Sequence, residues 1–186
     1  MDDSKIIDLY WARSQHAIEE SDRKYGSYCR AIARNILPAA EDAEECVNDT
    51  WLRAWNAMPP QRPTALQAFF GKLTRNLSLD RWRREHAAKR GGSQVQLALD
   101  ELEDCLAARE RVEDALEAGH TARVISDFLR TLPATDRQLF VRRYWYLDGI
   151  QTLARRFAMP QSQVKSRLFR IRQRLRIILE KEGVAL

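Results

Sequence analysis

Apolar residues recur at the spacing of an α-helix along most of this chain of 186 residues. The pattern is clearest in three segments, residues 41–55, 66–84 and 149–179. Glycine and proline, which interrupt helices, number only 7 and 6. The sequence therefore predicts an all-α protein.

The first segment, EDAEECVNDTWLRAW from Glu41 to Trp55, predicts an acidic amphipathic helix. Its core face consists of Ala43, Val47, Thr50 and Ala54. The opposite face carries Glu45, Asn48, Asp49 and Leu52, with Trp55 at its margin. A leucine exposed among acids indicates a protein interface, and the alternative is a solvated face with one stray leucine.

The second segment contains FFGKLTRNLSLDRWRRE, residues 69–85, and predicts a basic helix that continues to about Arg84, with Thr64 as its cap. Its predicted core face consists of Leu66, Phe70, Leu73 and Leu77. Trp82 is expected to project away from that face, among Arg81, Arg83 and Arg84. Interleaved aromatic and cationic residues are typical of a nucleic-acid surface, although a cation–π pair at a domain edge explains them equally well.

The third segment predicts a short helix, a break at residues 158–160 and a long basic helix, which is the arrangement of a helix-turn-helix motif. The two core faces consist of Ile150, Leu153, Ala154 and Phe157, and of Val164, Leu168, Ile171 and Leu175. The long helix should expose Ser162, Ser166, Phe169, Arg170 and Gln173, with Lys165, Arg167, Arg172 and Arg174 on its flanks. Such a helix can read base edges and contact phosphates, and the alternative is an arginine-rich surface helix.

Charge alternates along the chain. Residues 38–52 hold five acids and no bases, and residues 72–90 hold seven bases and two acids. Residues 99–117 then hold eight acids and two bases, and residues 155–176 eight bases and no acid. With 25 arginines among its 31 basic residues, the chain is predicted to bind a polyanion.

A glycine-containing polar cluster, KRGGSQ, separates the two basic segments and marks the start of a linker. We therefore expect two small helical domains, residues 1–90 and 111–186. A flexible acidic linker, residues 91–110, is expected to join them.

Histidine and cysteine, which many enzymes and metal sites use, are sparse. The three histidines are isolated and the three cysteines show no CxxC spacing, which predicts no enzyme activity, no metal and no cofactor. The N-terminus lacks the pattern of a secretory signal, and no apolar run approaches the ~18 residues of a membrane span. A soluble, cytoplasmic protein without a membrane partner is expected.

The three segments, in this order, resemble bacterial sigma factors of the extracytoplasmic function type, in the sigma-70 family. EDAEECVNDTWLRAW resembles the polymerase-binding segment of region 2, and FFGKLTRNLSLDRWRRE resembles the helix that faces the minus-10 element. PQSQVKSRLFRIRQRLR resembles the minus-35 recognition helix of region 4. The resemblance implies an alternative sigma factor that binds core RNA polymerase and directs promoter recognition and transcription initiation.

The resemblance also implies a role for each surface. The clamp helices of the largest polymerase subunit would be bound by Glu45, Asn48, Asp49, Leu52 and Arg53. The duplex minus-35 element would be contacted by Gln163, Lys165, Ser166, Arg167, Phe169, Arg170, Gln173 and Arg174.

The minus-10 element would be bound as a melted non-template strand. A base flipped from that strand would enter the loop from Met58 to Ala65. The minus-10 residues would be Arg62, Thr64, Lys72, Arg75, Asn76, Trp82 and Arg83. An anti-sigma factor is a further candidate partner. The alternative function, a stand-alone helix-turn-helix regulator, leaves the first two segments without a role.

Overall fold

The computed structural model describes residues 1–86, 94–106 and 114–182. Within these ranges every regular element is a helix, which confirms the predicted all-α class. The chain divides into two compact units, Met1–Gly91 and Gly92–Leu186.

The described part of the first unit, residues 1–86, contains four helices. They are α1 (Asp3–Trp11), α2 (His16–Ile36), α3 (Ala40–Ala57) and α4 (Leu66–His86). Helices α2, α3 and α4 pack on one another, and α1 packs against α2. Phe70 is fully buried among aromatic rings, with its centroid 5.1 Å from that of Trp51 and 5.6 Å from that of Tyr25. The apolar face predicted for α3 is the buried one.

The second unit is organised around its last helix. Its helices are α5 (Gln94–Leu106), α6 (Asp114–Thr131), α7 (Ala134–Tyr144), α8 (Ile150–Arg156) and α9 (Gln161–Lys181). Helices α5, α6, α7 and α8 all contact α9. The buried face of α9 is Val164, Leu168, Ile171, Leu175 and Leu179, which includes the whole predicted face.

Part of the segment predicted as a linker is helical. Helix α5 falls inside residues 91–110, and it packs against α7 and α9. Val95 and Ala98, three positions apart, lie on one side of the helix and are buried, so α5 has an apolar face despite its acids. The remaining linker positions, 91–93 and 107–110, lie outside the described residues.

The core face of α4 differs from the prediction. Its buried side includes Leu66, Phe70, Thr74, Ser78 and Trp82, whereas Leu73 and Leu77 are half-buried. The Thr74 hydroxyl donates to the Phe70 carbonyl at 2.9 Å, so this polar side chain can occupy a core position without an unpaired donor. The buried residues are spaced at i, i+4, and two of them, Thr74 and Ser78, carry hydroxyl groups. A prediction that looks only for apolar residues at helical spacing therefore misses this face. The Ala65 carbonyl accepts from the Phe69 amide at 3.0 Å, so Ala65 and not Thr64 is at the cap position.

The turn of the helix-turn-helix motif is closed by backbone hydrogen bonds. At the end of α8 the Met159 amide donates to the Ala154 carbonyl at 3.0 Å, and the Ala158 amide donates to Arg155 at 3.4 Å. Ala158 has a φ of 49°, the left-handed conformation that ends many helices and that glycine adopts most easily. The predicted break at residues 158–160 is therefore confirmed.

Ala158→Gly should stabilise the protein by about 0.5–1 kcal/mol, because glycine has no Cβ to strain the left-handed backbone. Ala154→Gly, inside α8, is the matched control and should destabilise by about 1 kcal/mol or more. Urea unfolding followed by far-UV circular dichroism measures both changes. Equal destabilisation by the two substitutions would contradict the assigned turn.

Candidate functional site

The outer face of α3 has the composition that the sequence predicted. Its exposed residues include Glu45, Asn48, Asp49, Leu52 and Arg53. The Leu52 side chain is 58% exposed although it lies beside charged groups. A large apolar side chain held in water by a rigid helix is a ready anchor for a partner protein.

Arg81 of α4 connects one edge of this face to α4 through hydrogen bonds. Arg81 donates to Asp42 Oδ1 at 2.5 Å, to Glu45 Oε2 at 2.6 Å and to Glu85 Oε1 at 3.2 Å. The hydrogen bond to Glu45 is the main cause that raises the pKa of Arg81, and the bond to Glu85 adds to it. Arg81 therefore joins α3 to α4 and holds the Glu45 carboxylate in place. A cleft of about 460 Å³ lies beside these groups and is lined by Glu45, Cys46, Asp49, Leu77, Arg81, Arg84 and Glu85.

The exposed side of α4 carries Lys72, Asn76 and Arg83. Arg75 is half-buried, and this burial is the main cause that lowers its pKa, followed by the charge of Arg83. The four residues follow the 3.6-residue period, so they form one basic strip along the helix.

The prediction that Trp82 projects from α4 toward nucleic acid is wrong. Its side chain is 6% exposed, because position 82 continues the buried i, i+4 row of the helix. A base could not stack on a ring that the core covers. The strip on α4 therefore offers cations and an amide, without this aromatic platform.

The loop between α3 and α4 carries the other predicted minus-10 residues. Thr64 is exposed, and Arg62 pairs with Asp8 and lies over the Trp11 ring, 5.4 Å from its centroid. Asp8 and Trp11 belong to α1, which the sequence did not assign to any site. In the sequence, the only hint of a site here is an aromatic residue, Trp11, followed closely by an arginine, Arg13. This pair has no spacing that is characteristic of a binding site.

In the second unit, α9 exposes the face that the sequence predicted. Its exposed residues include Gln163, Lys165, Ser166, Phe169, Arg170, Gln173 and Arg174, together with Ser162. Phe169 is 53% exposed, opposite the buried leucines. Hydrogen-bonding groups thus lie along the centre of an open helix face, with cations beside them.

Two of the predicted flanking arginines donate hydrogen bonds inside the unit, and a third, Arg174, lies over the Phe128 ring, 5.8 Å from its centroid. Arg167 donates to Asp136 Oδ1 at 2.8 Å and is half-buried. Arg172 donates to the Tyr144 hydroxyl at 2.6 Å and to Glu101 Oε2 at 3.4 Å. Arg167 and Arg172 orient α9, and the exposed cations of its predicted DNA-facing side are Lys165, Arg170 and Arg174.

Glu101 of α5 is the acid on which several of these groups converge. Arg143 is 1% exposed and donates to both Glu101 oxygens at 3.2 Å, and Tyr144 donates to the same carboxylate at 3.0 Å. Burial, and then the charge of Glu101, raise the pKa of Tyr144. The tyrosine thus stays protonated and can donate to Glu101 while it accepts from Arg172.

The described residues contain no group of three or more histidine, cysteine or acidic side chains arranged to hold a metal ion. Cys29 and Cys46 are buried, and burial raises the pKa of Cys29 to about 11. Such a thiol is protonated at neutral pH, as expected of a packing residue. Among the described helices, none combines the length and apolarity that crossing a membrane requires.

Glu101→Gln should destabilise the protein by about 2 kcal/mol, because the buried Arg143 charge loses its carboxylate, while partial exposure of Glu101 keeps the loss below that of a fully buried pair. Glu180→Gln is the matched control. It removes the exposed i, i+4 pair with Arg176 and should cost less than about 0.5 kcal/mol. Urea unfolding of both variants measures the difference, and similar losses would contradict a central role for Glu101.

Comparison with known proteins gives a family match within the first unit. No curated protein matches the chain. Residues 23–88 match the family model of Sigma-70 region 2. The match includes most of α2 and all of α3 and α4, and therefore both the acidic face and the basic strip. The chain contains a Sigma-70 region 2 domain.

Proposed function

We propose that this protein is an alternative sigma factor of the extracytoplasmic function type. It binds core RNA polymerase and directs promoter recognition and transcription initiation. The observation that carries the proposal is the combination of a region 2 domain with a helix-turn-helix motif whose second helix exposes a basic, hydrogen-bonding face. Neither part alone requires promoter-specific initiation, and together they supply a polymerase-binding domain and a duplex reader.

The outer face of α3 is the proposed polymerase-binding surface. Leu52 supplies the apolar anchor, and Asp49 and Arg53 supply charges of both signs around it. A central apolar residue with a polar rim is the arrangement of protein interfaces. Glu45, oriented by Arg81, and Asn48 extend this surface toward the proposed partner, the clamp helices of the largest subunit.

The exposed face of α9 is the proposed reader of the duplex minus-35 element. An α-helix fits the major groove, where arginine can bind guanine through two hydrogen bonds and an apolar side chain can contact the thymine methyl group. Arg170 and Phe169 supply these two kinds of contact, with Ser166 and Gln173 beside them. Lys165 and Arg174 contact phosphates and fix the register of the helix.

The α3–α4 loop and the basic strip of α4 are the proposed site for the melted minus-10 strand. A flipped base would enter the loop, and Lys72, Arg75 and Arg83 would follow the phosphates, with Asn76 bonding to a neighbouring base. Trp82 has no part in this site because it is buried.

A protein with this function has no catalytic activity or cofactor of its own. It acts where RNA polymerase acts, in the cytoplasm, and an anti-sigma factor that covers the α3 face would silence it.

The second candidate function is a stand-alone helix-turn-helix regulator, which the accessible face of α9 also permits. Tight sequence-specific binding of promoter duplex without polymerase would favour the regulator. Specificity that emerges only with polymerase favours the sigma factor.

Asp49→Arg combined with Leu52→Ala should abolish core polymerase binding and initiation, because loss of an interface anchor typically costs ~2 kcal/mol or more and the new charge adds repulsion. Glu19→Arg, an exposed charge reversal on α2, is the matched control. Pull-down of core polymerase and run-off transcription measure the effect. Wild-type protein that failed to start transcription with core polymerase on any promoter of a randomised library would overturn the proposed function.

Arg170→Ala should change the preferred minus-35 sequence, by roughly 1–3 kcal/mol at the base pair that this side chain reads. Arg174→Gln should instead weaken all sequences alike and lower the salt dependence by about one phosphate contact. Transcription from a randomised minus-35 library at two salt concentrations separates the two effects. If both variants reduced output uniformly, Arg170 would be an electrostatic contact only.

A further inference from the structure

We propose that α1, which lies outside the matched residues 23–88, sets the conformation of the α3–α4 loop. Trp11 and Arg13 act as positioning residues for base selection there. This inference rests on the proposed function, in which the loop, Met58–Ala65, receives a base of the melted strand. It adds residues that neither the region 2 match nor the sequence pattern assigns to the site.

The first contact satisfies a carbonyl that the sequence of the loop leaves without a helical partner. In a continuing helix the Trp55 carbonyl would accept from the amide of residue 59, but residue 59 is a proline and has no N–H. Arg13 Nη1 donates to the Trp55 carbonyl instead, at 2.7 Å. Its guanidinium also lies 5.4 Å from the centroid of the Trp55 ring. Arg13 therefore stabilises the end of α3 at the point where the loop begins.

The second contact holds the middle of the loop. Trp11 Nε1 donates to the Gln61 carbonyl at 3.3 Å. The next residue, Arg62, lies over the Trp11 ring and pairs with Asp8 of the same helix. One face of α1 thus contacts two successive loop residues, through a backbone bond and through a side chain.

The composition of the loop makes these outside contacts important. Prolines at 59, 60 and 63 have no backbone N–H, so few amides are present to bond the carbonyls of the loop from within. The Gln61 amide bonds the Ala57 carbonyl at 3.0 Å, and Met58 is fully buried at the loop entrance. Donors from α1 supply the bonds that the prolines cannot. A shift of α1 would therefore move the part of the loop around Gln61 and Arg62.

The conformation of Arg13 also indicates that its side chain is required. Helix α1 ends with the Ser14 amide donating to Leu9 at 3.0 Å and the Arg13 amide donating to Tyr10 at 3.1 Å. Arg13 has a φ of 53° in this turn, a position that glycine normally occupies. Arginine is strained there, and the structure uses its guanidinium to bond the end of α3. Glycine at 13 would keep the turn and remove that bond together with the contact to the Trp55 ring.

Two substitutions remove the contacts while they leave the helix intact. Trp11→Phe keeps an aromatic ring beside Arg62 and removes the N–H that bonds Gln61. Arg13→Gly keeps the turn, and Arg13→Lys restores a donor. Lys5→Ala is the matched control on α1, because Lys5 is exposed and has no hydrogen-bond or ion-pair partner among the described residues.

The measurement uses full-length protein with core polymerase and a fluorescent fork-junction promoter, randomised at each minus-10 position of the non-template strand. The wild type should prefer one base at the position that enters the loop. Arg13→Gly should reduce that preference about tenfold, since it loses a charged hydrogen bond and a ring contact, and Trp11→Phe about threefold, since it loses one neutral hydrogen bond. Arg13→Lys should restore part of it, and Lys5→Ala should leave it unchanged. Minus-35 preference and polymerase pull-down should stay at the wild-type level in every variant.

Unchanged base preference in both Arg13→Gly and Trp11→Phe would overturn the inference and leave α1 a purely structural helix. A uniform loss of binding at every base, together with a lower melting temperature, would also overturn it, because the effect would then be on folding. Failure of the proposed function is different: the wild-type protein itself would show no base preference with polymerase, which would overturn both proposals.

Discussion

The close pairing of α3 with α4 is the contact on which the first unit depends. The buried hydroxyl oxygens of Thr50 and Thr74 lie 3.0 Å apart there, and the Thr50 hydroxyl donates to the Cys46 carbonyl at 2.8 Å. Small hydroxyl side chains let the two helices approach closely, and their bonds remove the cost of burying polar groups. Further along the pair, Arg81 joins α4 to two acids of α3. The acidic face and the basic strip therefore belong to one closely packed pair of helices. The proposed polymerase and minus-10 surfaces consequently keep a fixed distance and orientation to each other.

The second unit packs around a helix, α9, that is rich in arginine. Helix α9 buries an apolar row, while the cations beside that row would repel one another without acids nearby. Asp136 and Glu101, from α7 and α5, pair with Arg167 and Arg172. The acidic segment before the helix-turn-helix motif thus contributes a structural acid to the helix that we propose reads DNA. The charge that remains on α9 points outward, where a polyanion can reach it.

The proposed functional surfaces were easier to predict from the sequence than the packing beneath them. The outer residues of α3 and the exposed face of α9 follow from one helical projection each, because their core rows are apolar and regular. The same helical projection gives the wrong buried face for α4. Its core row passes through Thr74 and Ser78, so apolar spacing alone rotates the helix and turns Trp82 outward, whereas the structure buries that ring. The contacts of α1 with the α3–α4 loop could not be predicted from the sequence either, since Trp11 and Gln61 are fifty positions apart.

Helical periodicity and charge are local properties of the chain, so the all-α class, the helix-turn-helix motif and the acidic and basic faces could be predicted from the residues. The partners of the arginines, the buried side of α4 and the packing of residues 94–106 as a helix in the second unit emerge from contacts between distant segments. These outcomes depend on groups that are distant in sequence, such as Glu101 with Arg143 and Arg13 with the Trp55 carbonyl. A buried charge or an unpaired carbonyl must find its partner in three dimensions, and no spacing along the chain records which partner it will find.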